Sequence, residues 1–118
     1  MARSVYLTSP EGSTGKSTIA LGLLDLFTAR VQRVGVFRPV VSGEATDRVL
    51  ELLLKHDGVE LDYETCVGVT YEDVHADPDA ALDAILTKAR ALAESCEVLI
   101  VVGSDYTDVA GPTELAFN

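Results

Sequence analysis

The chain has 118 residues, of which 47% are hydrophobic and 24% are charged, and its formal net charge is −10. This length and apolar content predict one globular domain over residues 1–118, and the acidic charge argues against nucleic acid or an anionic membrane as a partner. No apolar run approaches a membrane span and the N-terminus lacks a signal-peptide hydrophobic region, so we expect a cytoplasmic protein. Cys66 and Cys96 have no metal-type spacing and are expected to be buried and reduced rather than paired.

A loop of small residues lies between the first predicted strand and the first predicted helix. The apolar run Val5-Tyr6-Leu7-Thr8 predicts the strand, and apolar periodicity predicts a helix from Ser17 to about Arg30. A phosphate-binding loop needs this context, because inward backbone N–H groups and a helix N-terminus together bind an anion. The predicted phosphate- and nucleotide-binding residues are Gly12, Ser13, Thr14, Gly15, Lys16, Ser17, Thr18 and, from the next strand, Arg38.

Two residues of the loop have specific predicted roles. Lys16 would reach the β- and γ-phosphates of a nucleotide, and the Ser17 hydroxyl would face a magnesium ion. However, Pro10 occupies the position where the usual motif has Gly. The alternative interpretation is therefore a Gly/Ser-rich turn that caps the helix and leaves Lys16 in solvent. The apolar face of that helix is predicted to comprise Ile19, Leu23, Leu26 and Phe27, with Ala20 and Leu24 beside them.

The second strand is predicted over Val34–Arg38 and is expected to end at Pro39. Its continuous apolar character suits a parallel strand that is covered on both faces. At its carboxyl end, Arg38 is predicted to point towards the crevice of the phosphate loop, and the alternative is a surface arginine. A second helix is predicted from Thr46 or Asp47 through Lys55, and His56 after it is interpreted as a helix-end residue rather than a ligand.

The remaining elements continue the alternation of strands and helices. The expected strands are Val67–Thr70 and Val98–Val102, and Thr70-x-x-Asp73 resembles the cap of a brief helical turn. Asp77-Pro78 predicts the start of a long amphipathic helix that runs to about Ser95. Its apolar stripe is predicted to contain Leu82, Ile85, Leu86, Ala89, Leu92 and Ala93.

A carboxylate that holds magnesium is expected after the last strand, and Asp105 is the nearest one. The alternative is that Asp105 is a turn residue that bonds its own backbone. No Ser/His/Asp, Cys/His or zinc-ligand pattern occurs, so no catalytic residue is predicted.

These elements predict an α/β fold with three layers, in which helices cover both faces of a mainly parallel sheet. Residues Pro112–Asn118 read as the beginning of a helix, and we expect the chain to be a C-terminally truncated piece of a longer protein. Without a further strand beside it, the strand containing Val5 would be an exposed apolar edge, so we expect self-association through this strand.

Four blocks of the sequence resemble the N-terminal domain of the long form of phosphate acetyltransferase. The blocks are Thr14–Leu24, Val34–Pro39, Cys66–Tyr71 and Val101–Asp108, and the resemblance extends over essentially the whole chain. It implies a parent enzyme that moves an acetyl group between coenzyme A and phosphate, with its catalytic domain outside these residues. It also implies that this domain is regulatory and structural, with other domains and subunits of a homo-oligomer as its partners.

That domain is in turn similar to dethiobiotin synthetase, a ligase with a P-loop NTPase-like fold and a modified phosphate loop. Lys16 and Ser17 match the loop Lys and hydroxyl of that family, and Arg38–Gly43 resembles its Lys-Pro-Val-x-Ser-Gly segment with Arg in place of Lys. Asp47 matches a magnesium-associated Asp of that family, so it joins Ser17 and Asp105 as a metal candidate. The acidic residue of the family falls at Val102 and is missing, which argues that ligase chemistry has decayed while nucleotide binding can survive.

Three functional hypotheses follow from the sequence. The first is a regulatory module that binds ATP or another nucleotide with magnesium, or another small phosphorylated ligand. The second is an active ATP-dependent ligase or hydrolase of the dethiobiotin synthetase type. The third is a vestigial loop in a domain that serves only oligomer assembly.

Overall fold

The computed structural model describes residues 3–7 and 16–103 of the chain. Within these ranges no helix has the combination of length and apolar character that crossing a bilayer requires. The elements, in chain order, are β1 (Arg3–Leu7), α1 (Lys16–Thr28), β2 (Val34–Val41), α2 (Arg48–Leu54), a 3₁₀ turn (Glu64–Cys66), β3 (Val67–Thr70), α3 (Tyr71–Ala76), α4 (Pro78–Glu94) and β4 (Val98–Val102).

The four strands form one parallel sheet in the order β1-β4-β2-β3. Val98 of β4 pairs with Arg3 on one side and with Val34 on the other, so these three strands start together. β3 starts later, opposite Arg38, and because all four strands are parallel their carboxyl ends point to one edge. Helices α1 and α2 pack on one face, and α3 and α4 pack on the other. The predicted three-layer α/β class is therefore confirmed. Among the described residues, β1 pairs with β4 alone and forms an edge of the sheet.

The core consists of two apolar layers that the sheet separates. In β4, Ile100 and Val102 pack towards α1 and α2, whereas Leu99 and Val101 pack towards α3 and α4. This alternation is the two-residue period of a strand. Because helices cover both faces, all five residues of β4 are buried, which explains its uninterrupted apolar sequence.

The prediction that Pro39 ends the second strand is wrong, because β2 continues to Val41. The pairing of β2 with β4 stops at Phe37, and β2 then continues beside β3, with Arg38 opposite Val67 and Val40 opposite Val69. Successive residues of a strand direct their N–H groups to opposite neighbours. The missing N–H of Pro39 therefore lies on the β4 side, beyond the last pair there.

Two predicted apolar faces require correction. Within residues 18–28 of α1, Ala20 and Leu24 are buried at 0% exposure, whereas Ile19 is 53% and Leu26 is 47% exposed. The α1 sequence is apolar around most of its circumference, so periodicity alone does not identify the side that packs on the sheet. In α4, Leu86 is 44% exposed, although Ile85 and Leu92 of the same predicted stripe are buried.

The predicted helix starts are confirmed by their capping geometry. Asp47 is the N-cap of α2, and the carboxylate of Asp77 accepts a hydrogen bond from Ala80 N before Pro78 opens α4. Thr70 and Asp73 form a reciprocal capping box at α3. These side chains bond backbone N–H groups that have no partner within the helix, which fixes where each helix begins.

Candidate phosphate-binding site

The predicted phosphate-binding loop joins the end of β1 to the start of α1. β1 ends at Leu7 and α1 begins at Lys16, so Lys16, Ser17 and Thr18 occupy the first turn of the helix. Residues 8–15, which include the predicted ligands Gly12, Ser13, Thr14 and Gly15, lie outside the described residues. The strand and the helix that the motif requires are both present, and the roles of the loop residues stay predictions.

β1 and β4 end side by side at the carboxyl edge of the sheet. Leu7 pairs with Val102, and the N–H of Gly103 donates to the carbonyl oxygen of Leu7 at 2.7 Å. Asp105 follows Gly103 closely in sequence and also lies outside the described residues. This register brings the end of β4 next to the point where the loop begins, which is the edge where parallel α/β sheets bind ligands.

Arg38 and Asp47 form a buried ion pair at the carboxyl end of β2. Arg38 Nε lies 3.2 Å from Asp47 Oδ2, and Arg38 is 5% exposed. A guanidinium removed from water requires a counter-ion, and the neighbouring carboxylate supplies one. Two residues that the sequence assigned to the ligand and the metal are thus in contact with each other.

Asp47 also organises the polypeptide between β2 and β3. Its Oδ1 accepts a hydrogen bond from Leu50 N at 2.9 Å, which caps α2. Its own backbone N–H donates to the hydroxyl of Tyr63 at 2.8 Å. The residue therefore connects β2 through Arg38, the first turn of α2 through Leu50 and the segment before β3 through Tyr63.

The side chain of Asp47 does not fit direct coordination of magnesium in this arrangement. Mg²⁺ requires near-octahedral oxygen ligands, but both Asp47 oxygens have partners and the guanidinium beside Oδ2 repels a divalent cation. Residues 3–7 and 16–103 contain no group of three or more His, Cys, Asp and Glu that could hold a metal ion. Metal contact by Ser17 and Asp105 stays a prediction.

Val102 lies where the resembling ligase family has an acidic residue, and here it belongs to the core. It is 1% exposed and packs in the apolar cluster that contains Ala20, Leu24 and Ile100. An ionised carboxylate in these surroundings would be strongly disfavoured without a cation beside it. At this position the sheet thus offers apolar packing instead of a metal ligand.

An open cleft of about 380 Å³ lies beside the ion pair, between the loop after β2 and the 3₁₀ turn. Its polar lining includes the side chains of Ser42, Thr46, Tyr63 and Thr70, and Glu44 and Glu64 give it negative charge. Ser42 Oγ accepts a hydrogen bond from Glu44 N at 3.1 Å, which holds the loop in a turn. The acidic side chains make this cleft unsuited to an anion.

Two structural contacts were not apparent from the sequence. Tyr63 lies in a segment without periodicity, and nothing in the pattern linked it to Asp47 across 16 positions. His56, predicted as a helix-end residue, bridges two helices, since its Nε2 lies 2.6 Å from Asp25 Oδ1 and its Nδ1 accepts from Gly58 N at 3.0 Å. Because Gly58 donates to Nδ1, the neutral ring carries its proton on Nε2 and donates it to Asp25.

Comparisons with known proteins agree with the resemblance seen in the sequence. A phosphate acetyltransferase of Nitratidesulfovibrio vulgaris is 27% identical over the whole chain, and one of Synechocystis sp. is 32% identical over the whole chain. The chain spans 18% of the length of each. An ATP-dependent dethiobiotin synthetase of Sulfurovum sp. is 29% identical over 86% of this chain and 54% of its own length.

A sequence model of a family described as an AAA domain matches residues 3–118, which is nearly the complete chain. The match agrees with the parallel sheet, the helices on both faces and the loop position between β1 and α1, all of which suit a P-loop NTPase-like fold. The chain therefore belongs to this family of AAA domains.

Proposed function

We propose that this chain is a regulatory module that binds a nucleotide, or another phosphorylated ligand, at the junction of β1 and α1. The observation that carries the proposal is the Gly-Lys-Ser sequence at residues 15–17, located where a parallel strand leads into a helix. The first turn of α1 supplies backbone N–H groups without intrahelical partners and the positive end of the helix dipole. Both features favour a bound phosphate.

The positive charge for this ligand is assigned chiefly to Lys16. Arg38 has Asp47 as its counter-ion, so its charge is largely compensated before any ligand arrives. The overall charge of −10 opposes an anion only weakly at this site, because the Debye length at physiological salt is about 8 Å. A magnesium ion that arrives with the nucleotide would neutralise further charge on its phosphates.

The proposed parent of this module is a phosphate acetyltransferase. The support is the similarity to two proteins of that name over the complete chain. The parent would move an acetyl group between coenzyme A and phosphate with residues outside this chain. The module would contribute to assembly of a cytoplasmic homo-oligomer and pass the state of its ligand site to the rest of the enzyme.

A second candidate function is an ATP-dependent ligase or hydrolase, which the similarity to a dethiobiotin synthetase favours. This chemistry needs a carboxylate that replaces the one missing at Val102, and Asp105 is the candidate. Asp105→Ala should then abolish turnover of ATP. Absence of ATPase activity in the unmodified chain rejects this candidate directly.

A thermal melting experiment tests the proposed binding function. ATP with magnesium at ten times its Kd adds about 1.4 kcal/mol to the free energy of unfolding, a rise of roughly 5 °C in Tm for a domain of this size. We expect Lys16→Ala to abolish the rise. Lys55→Ala is the matched control, because Lys55 is an exposed cation at the end of α2.

The results of this experiment distinguish a domain that binds a nucleotide from one that serves only oligomer assembly. A rise that survives in Lys55→Ala but not in Lys16→Ala supports a functional phosphate loop. No shift of Tm at millimolar nucleotide overturns the proposal and favours the third hypothesis, a vestigial loop in an assembly domain. In that case Lys16→Ala should leave the full-length enzyme unaffected.

A further inference from the structure

We propose that a cavity at the amino edge of the sheet binds a small organic anion, namely a carboxylate or phosphate group carried on an apolar body. The cavity lies between the first residues of β1 and β4, the last turn of α1 and the loop before β2. Because the strands are parallel, this edge is the opposite end of the sheet from the β1–α1 loop. The proposal is therefore independent of the function proposed above.

The size and the lining of the cavity suit a small molecule. Its volume is about 760 Å³, and cavities that bind small ligands typically measure roughly 300–1,000 Å³. Its apolar lining is formed by Val5, Phe27, Val31 and Val98. An apolar surface with a few charged groups at its margin is the usual composition of such sites.

The charged groups of the cavity favour an anion. Arg3, Arg30 and Arg33 line it, which is three of the nine basic residues in the chain. Among the residues that the structure describes, two acidic ones, Glu94 and Glu97, line it with them. The cavity is therefore net positive although the chain carries a charge of −10, so a bound anion would meet local attraction.

Backbone hydrogen bonds hold the segments that carry the arginines. Arg3 N donates to the carbonyl of Glu97 at 3.1 Å, Glu97 N donates to the carbonyl of Arg33 at 2.8 Å, and Arg30 N donates to the carbonyl of Phe27 at 2.9 Å. β1, the start of β4, the end of α1 and the loop after it are thus joined. Each arginine extends from a fixed backbone position, which reduces the entropy lost when an anion binds.

Arg33 already has a partner in the cavity, Glu97, but this ion pair is weak enough for a ligand to replace it. Arg33 Nε lies 3.9 Å from Glu97 Oε1, and the two side chains are 70% and 40% exposed. An exposed pair at this distance is weak. A carboxylate or a phosphate group can bind a guanidinium through two parallel hydrogen bonds and so replace Glu97.

A structural role for the arginines is the competing explanation. α1 and α4 both end at this edge, and cations near a helix C-terminus stabilise its carbonyl groups. That role accounts for Arg30, which follows α1. It does not account for Arg3, which belongs to β1, or for the apolar cavity between the arginines. The two explanations also differ in what they predict, because only the proposed site predicts that the cavity binds an anion.

The test is an NMR titration of the intact chain, followed through its backbone amide signals. The probes are phenyl phosphate and benzoate, with benzyl alcohol as the uncharged control. We expect both anions to shift the amide signals of Arg30, Val31, Arg33 and Val98 in a saturable way, and benzyl alcohol to leave them unchanged. Response to only one anion would also support the site and would identify its anion as a phosphate or a carboxylate.

Variants separate this cavity from other anion contacts. Arg30→Gln with Arg33→Gln should weaken binding at least about tenfold, and Arg33→Gln alone, at an exposed position, should weaken it in a chain that stays folded. Arg90→Gln is the matched control, since Arg90 is exposed on α4 and does not line the cavity. Lys16→Ala should retain the amide shifts at the cavity. Failure of the phosphate loop to bind a nucleotide can therefore be distinguished from failure of the cavity to bind an anion.

Three results overturn the proposal. The first is the absence of saturable shifts with either anion. The second is an equal response to benzyl alcohol. The third is an unchanged affinity for the anions, in which Arg33→Gln and the double arginine variant bind as tightly as Arg90→Gln. This result would leave only the helix-end role for the arginines.

Discussion

Arg38 Nε lies 3.2 Å from Asp47 Oδ2, and this ion pair ties the end of β2 to the first turn of α2. Both side chains are largely buried, at 6% and 13% exposure. Asp47 also caps α2 through its side chain, and its backbone N–H donates a hydrogen bond to the Tyr63 hydroxyl. The pair therefore sets the position of the β2–α2 connection at the carboxyl edge of the sheet.

Replacement of Asp47 by Asn tests the energetic role of this pair. Asn caps helices about as well as Asp, so Asp47→Asn removes mainly the counter-ion of Arg38. We expect the free energy of unfolding to fall by about 3 kcal/mol, because a buried guanidinium loses the carboxylate charge that lies 3.2 Å from its Nε. Urea unfolding followed by circular dichroism measures this change.

The control for Asp47→Asn is the same substitution at the cap of α4. Asp77 accepts a hydrogen bond from Ala80 N at 3.1 Å and is exposed, without a buried arginine beside it. Asp77→Asn should lower the free energy of unfolding by less than about 0.5 kcal/mol. If the two substitutions cost the same, Asp47 acts only as a cap.

Gly68 and Gly22 provide a matched pair of glycine substitutions. A Cβ on Gly68 would lie 2.3 Å from the carbonyl oxygen of Pro39 on the adjacent strand, whereas a Cβ on Gly22 meets nothing within 4 Å. Gly68→Ala should therefore destabilise the fold by about 3 kcal/mol, since β2 and β3 would have to separate. Gly22→Ala, on the exposed side of α1, should stabilise it by about 0.5–1 kcal/mol.

Urea midpoints of both variants check these glycine predictions. We expect the urea midpoint to fall in Gly68→Ala and to rise in Gly22→Ala. Equal effects would contradict the close approach of β3 to Pro39.

The types of the elements were predictable because short-range patterns in the sequence determine them. Asp77-Pro78 marks the start of α4, and the apolar run of β4 shows that helices cover both of its faces. The extension of β2 past Pro39 was not predictable, since it depends on β4 pairing ending at Phe37. Leu26 was placed on the wrong side for a similar reason, because only the packing of α1 against the sheet selects its buried face.

The candidate site was predictable in outline but not in its contacts. The position of Gly15-Lys16-Ser17 between a strand and a helix follows from local pattern. The contact of Arg38 with Asp47 depends on how the β2–α2 loop folds back, and that conformation depends in turn on Tyr63 from a distant segment. Long-range side-chain contacts of this kind carry no signal in a single sequence.

The stability of the fold should fall at alkaline pH because of a buried thiol. Burial, and then the charges of Asp62 and Cys96, raise the pKa of Cys66 from 9.0 to about 12. As the pH rises through 9 the unfolded chain loses a proton that the folded chain retains. The contribution of this thiol to the free energy of unfolding is therefore fully present well below pH 9 and falls as pH rises towards 12. Burial also raises the pKa of Cys96, which adds to the same trend.

Comparison with Cys66→Ala isolates the contribution of this thiol. The difference in free energy of unfolding between the unmodified chain and the variant should be constant from pH 7 to 8 and shrink as the pH rises through 9. Urea unfolding at a series of pH values measures it. A difference that stays the same up to pH 10.5 would show that Cys66 titrates alike in both states.

The edge strand β1 should cause self-association of the chain. Among the described residues β1 pairs only with β4, and Tyr6 on this strand is 48% exposed. Unpaired strand edges with apolar side chains bind further strands, and a lysine on the edge suppresses this. We expect the unmodified chain to associate as its concentration rises, and Tyr6→Lys to reduce that association several-fold.

Static light scattering over a concentration series measures this association. Leu86→Lys is the control, because Leu86 is a comparably exposed apolar residue on α4 rather than on the edge. A clean monomer of the unmodified chain at high concentration, or an equal effect of the two lysines, would contradict edge pairing.

Calorimetric titration of the intact chain with ATP and magnesium tests directly whether the β1–α1 junction binds a phosphorylated ligand. We expect saturable heat with one nucleotide bound per chain, a loss of affinity of at least about tenfold in Lys16→Ala, and unchanged affinity in Lys55→Ala. Absence of saturable heat in the unmodified chain, or equal affinity in Lys16→Ala, would contradict it.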